Sequence, residues 1–163
     1  MALHVALVSP EIPPNTGNIA RLCAATDTTL HLVEPLGFSL DDAEVRRAGL
    51  EYWDEVDLWV HPSWRAFQQA IAAGRCLYFS ARATRSFWDA PYRDGAVLVF
   101  GSEGAGLPDE ILQANTERTY RVPMRGGAVR SLNLATAVGI VVYEALRRLG
   151  LPADALAHGR VAP

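Results

Sequence analysis

At 163 residues, 50% of them apolar and 20% charged, the chain has the length and balance of one globular domain with a buried core. That excludes a disordered or fibrous protein, and no apolar run reaches the roughly 18 residues a membrane-spanning helix needs. A net charge of −3 disfavours nucleic acid as a partner of the chain as a whole, although phosphate binding needs only a local basic patch. Met1-Ala-Leu-His lacks the basic stretch and apolar core of a signal peptide, so an intracellular, cytoplasmic protein without a membrane partner is expected. Cys23 and Cys76 are too far apart for a redox or metal pair, and His4, His31, His61 and His158 show no ligand spacing; no metal is expected. All 15 basic residues are arginine, which fits either a composition bias or selection for arginine's planar fork. Arg82, Arg85, Arg118, Arg121, Arg125 and Arg130 would form a basic patch if they shared a face.

Leu3 to Val8 reads as a first strand. Pro10-Glu-Ile-Pro-Pro-Asn-Thr-Gly-Asn-Ile-Ala-Arg21 then leaves it through a Pro-rich turn and enters a helix with Ile19, Leu22, Cys23 and Thr26 on its apolar stripe. Gly17 is expected to give this turn a backbone geometry other residues resist. Arg21 points away from the stripe, with Asn18 and Asn15 at three-residue steps before it. The spacing fits a polar ligand site at the carboxyl end of a strand, or equally a helix capped by Asn15 with a solvated Arg21.

Leu30 to Glu34 and Val56 to Val60 read as strands. A helix follows through Trp64, Phe67 and Ile71, with Ser63 as its N-cap and Gly74 as its stop. Cys76 to Ser80 and Val97 to Gly101 are further strands, and the apolar run Val97-Leu-Val-Phe suits a sheet covered on both faces. Directly after it come Gly101, Gly104 and Gly106. Such a loop lets backbone approach a ligand, or it is a plain tight turn. Its spacing is neither a dinucleotide fingerprint nor a Walker A loop, which disfavours an unrelated nucleotide-binding domain. Pro108 suits the first position of a helix beginning Asp109-Glu110.

Thr119 to Pro123 reads as the last strand, and a long helix runs from about Leu132 to Leu149, stopping at Gly150. That helix is apolar almost all round, so a second subunit is expected against it. Asn133, in this apolar stretch, needs hydrogen-bond partners. Alternation of strands and helices implies an α/β fold with a mainly parallel sheet flanked by helices. Residues 1–150 are read as one domain and 151–163 as a loosely ordered tail.

Taken in order, Glu11-Ile-Pro-Pro-Asn-Thr-Gly-Asn-Ile with Arg21-Leu-Cys, Glu34-Pro-Leu-Gly-Phe, Arg46-Arg-Ala-Gly-Leu with Tyr52, Phe100-Gly with Gly106-Leu-Pro, and Val122-Pro-Met with Arg130-Ser-Leu-Asn-Leu resemble the SPOUT methyltransferases. Within that class the chain is similar to the small tRNA wobble-position 2′-O-methyltransferases of the TrmL or YibK type. The resemblance implies a C-terminal trefoil knot, a homodimer and S-adenosylmethionine as cofactor. It carries cofactor contacts onto Phe79, Gly101, Val122 and Ser131. The implied substrate is the ribose 2′-hydroxyl of nucleotide 34, a cytidine or uridine, in the tRNA anticodon stem-loop.

Arginine stays protonated at neutral pH, so Arg21 is expected to grip the adjacent phosphate and stabilise charge rather than act as a base. Asn133 is expected to orient the nucleotide and Glu103 to be a proton acceptor. Asn15, Asn18, Glu103, Arg125 and Arg130 are the candidate RNA contacts, with Arg82 and Arg85 as further phosphate partners. The sequence departs from the best-known members in the loop Gly101-Ser-Glu-Gly-Ala-Gly and in a loop before Arg130 that is one residue longer. Ribosomal RNA, another tRNA position, or a non-catalytic RNA-binding protein of the same fold are the alternative readings.

Overall fold

The computed structural model describes residues 2–41, 43, 47 and 50–150. Most of the Arg46–Gly49 motif and the whole 151–163 tail therefore lie outside the described residues.

Among the described residues, seven strands form one sheet in the order β3-β2-β1-β6-β4-β7-β5. They are β1 (Leu3–Val8), β2 (Thr29–Val33), β3 (Leu58–His61), β4 (Cys76–Phe79), β5 (Arg85–Ser86), β6 (Ala96–Phe100) and β7 (Thr119–Arg121). Every pairing is parallel, as the apolar runs require: all five residues of β6 are buried. Six strands fall within two residues of their expected bounds. β5 was not expected; two residues are too few for any periodic signal.

Alternation along each strand divides the core. Leu3, Val5, Leu7, Leu30, Leu32, Leu77, Leu98 and Phe100 point to one face, where α1 (Pro13–Thr26) and a long C-terminal helix cover them through Ile19, Cys23, Val138 and Val142. Ala6, Val8, Val33, Tyr78, Val97 and Val99 point to the other, under α2 (Trp64–Ala70) and α3 (Asp109–Ala114).

Ser63 caps α2 as expected, accepting from the Ala66 amide at 3.1 Å, although the helix ends at Ile71, before Gly74. Pro108 occupies the N-cap of α3, one residue earlier than expected. The long helix, α4 (Leu134–Leu149), starts two residues late because Asn133 is its N-cap, with Oδ1 accepting from the Thr136 amide at 3.2 Å. Gly150 ends it in the left-handed region, at φ 77°.

The expectation for Gly17 is corrected. It is a buried residue inside α1 with no positive φ; the left-handed residue between β1 and α1 is Ser9, at φ 51°.

Candidate active site at the carboxyl edge of the sheet

The chain runs outward from β1 through β2 to β3, then returns to the other side of β1 for β6 and β4. Open parallel sheets bind ligands beyond the carboxyl ends of the strands at such a reversal. A cavity of about 710 Å³ opens there, between the ends of β4, β6 and β7 and the starts of α1 and α4. That volume is within the usual range for small-molecule sites, about 300–1,000 Å³.

Phe79 and Phe100 end their strands side by side, rings stacked with centroids 5.0 Å apart. Above them the chain turns through residues 101–106. Ser102 pairs with Gly106 as an isolated bridge, and its hydroxyl accepts from the Ala105 amide at 3.2 Å. Gly101 is demanded by this return: a Cβ there would sit 2.0 Å from the Gly106 carbonyl carbon and the Leu107 nitrogen. Gly106 takes φ +70°. The loop is therefore both a tight turn and a lining of exposed backbone N–H and C=O groups; the two readings of its glycines do not compete.

Glu103 joins this loop to α1. Its carboxylate accepts from the backbone amides of Glu11 at 2.7 Å and Ile12 at 3.0 Å, and from Asn15 Nδ2 at 3.4 Å. Helix α1 has no side-chain cap of its own at Ile12; a carboxylate some 90 residues away in sequence supplies it, against the positive end of the helix dipole. The reading of Asn15 as the cap is thereby corrected. Asn15 is buried and turned to the cavity, where its Oδ1 accepts from Asn133 Nδ2 at 3.0 Å. Glu103, Asn15 and Asn133 form one hydrogen-bonded chain across the cavity wall, with every member fixed by a second partner or a helix end. The Glu103 carboxylate is thus engaged by three donors, which gives it a structural task whether or not it also accepts a proton.

Of the residues expected at the site, Phe79, Gly101, Val122, Ser131, Asn15, Glu103, Arg130 and Asn133 line the cavity; Asn18, Arg21 and Arg125 do not. Asn18 and Arg21 are exposed on α1, and at six residues from Asn15 the arginine lies on a different side of the helix. Its guanidinium stands over the Tyr52 ring, 5.1 Å from the centroid. The arginines expected to form one patch are divided. Arg82 lines the cavity but is paired with Asp109 at 2.7 Å and donates to the Leu107 carbonyl. Arg85 donates to the Glu117 carbonyl and stacks on Tyr120. Arg118 donates to the carbonyls of Ala73 and Gly74, at the amino end of β4. Sequence reasoning did not assign Ser80, Ile12 or Leu132 to the site; Ile12 and Leu132 lie within the family motifs, whereas Ser80 carries no signal apart from its place at a strand end.

Residues 2–143 match the SpoU rRNA Methylase family. The chain belongs to that family. It is 49% identical over 155 residues to a tRNA (cytidine(34)-2′-O)-methyltransferase of Burkholderia ambifaria, a span covering 93% of this chain and 99% of the relative. A solved structure bearing on 2-OH methylation of C/U34 on tRNA is similar at TM-score 0.87 and 49% identity, over 93% of this chain and 98% of that one. An AdoMet-bound rRNA methyltransferase from Sinorhizobium meliloti is similar at TM-score 0.81 and 28% identity, over 91% of this chain and 57% of that one. The family resemblance carried by the motifs is upheld.

The cavity fits the cofactor that this family implies. Phe79, Val122, Leu132 and Leu134 offer apolar surface for a purine, and the backbone of 101–106 and 131–133 offers donors and acceptors for its edge and for ribose hydroxyls.

Proposed function

We propose that this SpoU-family protein transfers a methyl group from S-adenosylmethionine to the ribose 2′-hydroxyl of the wobble nucleotide, position 34, in the tRNA anticodon loop. The observation that carries this reading is the cavity at the carboxyl edge, lined by Phe79, Gly101, Val122 and Ser131 and crossed by the Glu103–Asn15–Asn133 chain. The relative and the solved structure with nearly full mutual coverage both concern nucleotide 34, which favours this substrate over ribosomal RNA.

When bound, S-adenosylmethionine supplies a methyl group on an already activated sulfonium. The chain's own task is then alignment, which can contribute about 7–11 kcal/mol to such a reaction. Phe79, Gly101, Val122 and Ser131 hold the cofactor. Asn133, fixed by Asn15 and by its own helix cap, orients the nucleotide. Arg21 grips the adjacent phosphate through its fork and stabilises the charge that develops on the ribose oxygen. Asn18 and Arg125, both exposed, and Arg130, on the cavity rim, extend the contact to the stem-loop.

Arg21 does not line its own chain's cavity, and this supports a homodimer in which one protomer presents Arg21 to its partner's cavity. Helices α1 and α4 pack together, with Gly139 against Leu22, and α4 leaves Ile140 and Tyr143 exposed. An apolar outward face beside Arg21 is what a dimer would cover. A C-terminal trefoil knot is also proposed. β7 lies between β4 and β5, so the connection through residues 80–84 crosses over it, and the Ser80 amide donates to the Tyr120 carbonyl at 2.9 Å. We read residues 1–150 as one methyltransferase domain, at work in the cytoplasm where its tRNA is found.

The test is to incubate the protein with methyl-labelled S-adenosylmethionine and total tRNA, then locate the label by mass spectrometry of nuclease digests. A 2′-O-methyl at position 34 is expected; label at another nucleotide sinks the substrate assignment. Arg21→Ala is expected to lower turnover by about 10²–10³, the range for losing a group that stabilises developing charge, while cofactor affinity stays within about threefold. An equal fall in cofactor affinity contradicts the role given to Arg21.

A further inference from the structure

Arg21 is exposed, and an exposed arginine is ordinarily a mobile side chain with many rotamers. Two features set this one apart. Among the described residues no carboxylate pairs with it and no acceptor takes up its N–H donors. Its guanidinium instead faces an aromatic ring, that of Tyr52, 5.1 Å from the centroid. That ring is carried on the 3-10 turn Leu50–Glu55, which is anchored by Trp53, and by Val56 directly after it, packing on the core. The platform under the guanidinium is therefore tied to the body of the protein.

We propose that Tyr52 is a positioning residue for Arg21. A guanidinium over a ring face is held by cation–π attraction, a contact that consumes none of its five N–H donors. An acidic partner would do the opposite, consuming the fork and cancelling the charge. The ring thus restrains the side chain and leaves the bidentate edge for a phosphate. The chemistry asks for the ring and not the hydroxyl. It also asks for arginine in particular, since a lysine ammonium is a point charge with no flat face to rest on. The inference builds on the role given to Arg21 above, and it adds the element that fixes where the fork points.

The experiment is a double-mutant cycle with Tyr52→Ala, Tyr52→Phe and Arg21→Lys, read in single-turnover methylation of an anticodon stem-loop and in cofactor affinity. Tyr52→Ala is expected to slow methyl transfer about tenfold with cofactor affinity within twofold, and Tyr52→Phe to recover the rate to within about threefold. In the Arg21→Lys background, adding Tyr52→Ala should change the residual rate by less than about twofold. Equal losses in the Ala and Phe variants, or full additivity with Arg21→Lys, overturn the proposal. ¹⁵N relaxation of the Arg21 Nε–H group gives a second readout that needs no activity. Its order parameter should fall in Tyr52→Ala and hold in Tyr52→Phe; no change in either variant also overturns the proposal. A wild-type protein that methylates no tRNA, yet loses Arg21 order in Tyr52→Ala, would refute the functional reading and leave the Tyr52 support intact.

Discussion

Two polar chains cross this sheet, and they end differently. On the face under α2, three imidazoles step across the first three strands: His4 Nδ1 lies 3.1 Å from His31 Nε2, and His31 Nδ1 lies 3.0 Å from His61 Nε2. Arg75 closes the row, 3.0 Å from His4 Nε2. Arginine can only donate, so His4 Nε2 accepts, His4 Nδ1–H donates to His31, and His31 Nδ1–H donates to His61. One guanidinium thereby sets every tautomer, and each bond along the row stays within the protein. The second chain, Glu103–Asn15–Asn133, is as well connected but runs along a cavity wall. A polar chain closed on itself can matter only to stability, whereas one that borders a cavity can also place a ligand.

The largest expected effect of that difference is on stability. His31→Leu leaves the half-buried His4 Nδ1–H and the buried His61 Nε2 without partners, at about 1–3 kcal/mol each. A loss of about 4 kcal/mol in all, or roughly 8–16 °C in Tm, is expected from urea and thermal melts, with methylation at pH 7.5 kept within threefold. A large fall in turnover at preserved stability would break the distinction between the two chains.

Asn15→Ala should do the reverse. It frees both Asn133 and one contact of Glu103, and misplacing a reacting group by about 1 Å can lower a rate about a hundredfold. Single-turnover rates should show a loss of that order, with Tm lowered by less than about 5 °C.

The histidine ladder also predicts a pH response. Burial, with His4 and His61 alongside, pulls His31 down to about 4 from an ordinary 6.5; Asp57 opposes this shift and Arg75 adds to it. Burial also lowers His4 and His61. Each is neutral in the fold and takes up its proton more readily when unfolded. Stability is then complete above about pH 6.5 and is lost as pH falls toward 4. His31 alone should remove about 2 kcal/mol between pH 7 and pH 5, and the slope should flatten in His31→Leu. Equal slopes in the two proteins would contradict the ladder.

The smallest expected effect separates two roles for one carboxylate. Glu103→Gln keeps the shape but weakens the cap on α1, at about 1 kcal/mol, and should slow turnover by less than tenfold. If Glu103 were the proton acceptor, turnover would fall by about 10²–10⁴ at unchanged stability.

How far the sequence spoke for these features depended on their range. Val97-Leu-Val-Phe announced a covered strand because its neighbours along the chain carry the signal, and Ser63 announced a cap three residues from its acceptor amide. Gly101, Val122 and Ser131 were reached through the family motifs and Phe79 by its position in the resemblance alone, and all four line one cavity. Glu103 was not legible as the cap of α1, since some 90 residues separate it from Ile12. The histidines, 27 and 30 residues apart, were dismissed for lacking ligand spacing; only the register of three strands brings them together. The side of α1 on which Asn15 and Arg21 lie could be read from helical spacing, but not which side faces the cavity.

The central claim is that the acceptor is the ribose hydroxyl of nucleotide 34. Its most direct test pairs two anticodon stem-loops identical except for ribose or 2′-deoxyribose at that nucleotide, each incubated with labelled S-adenosylmethionine. The account predicts one methyl group on the ribose form and none on the deoxyribose form; equal labelling of both, or of neither, would contradict it.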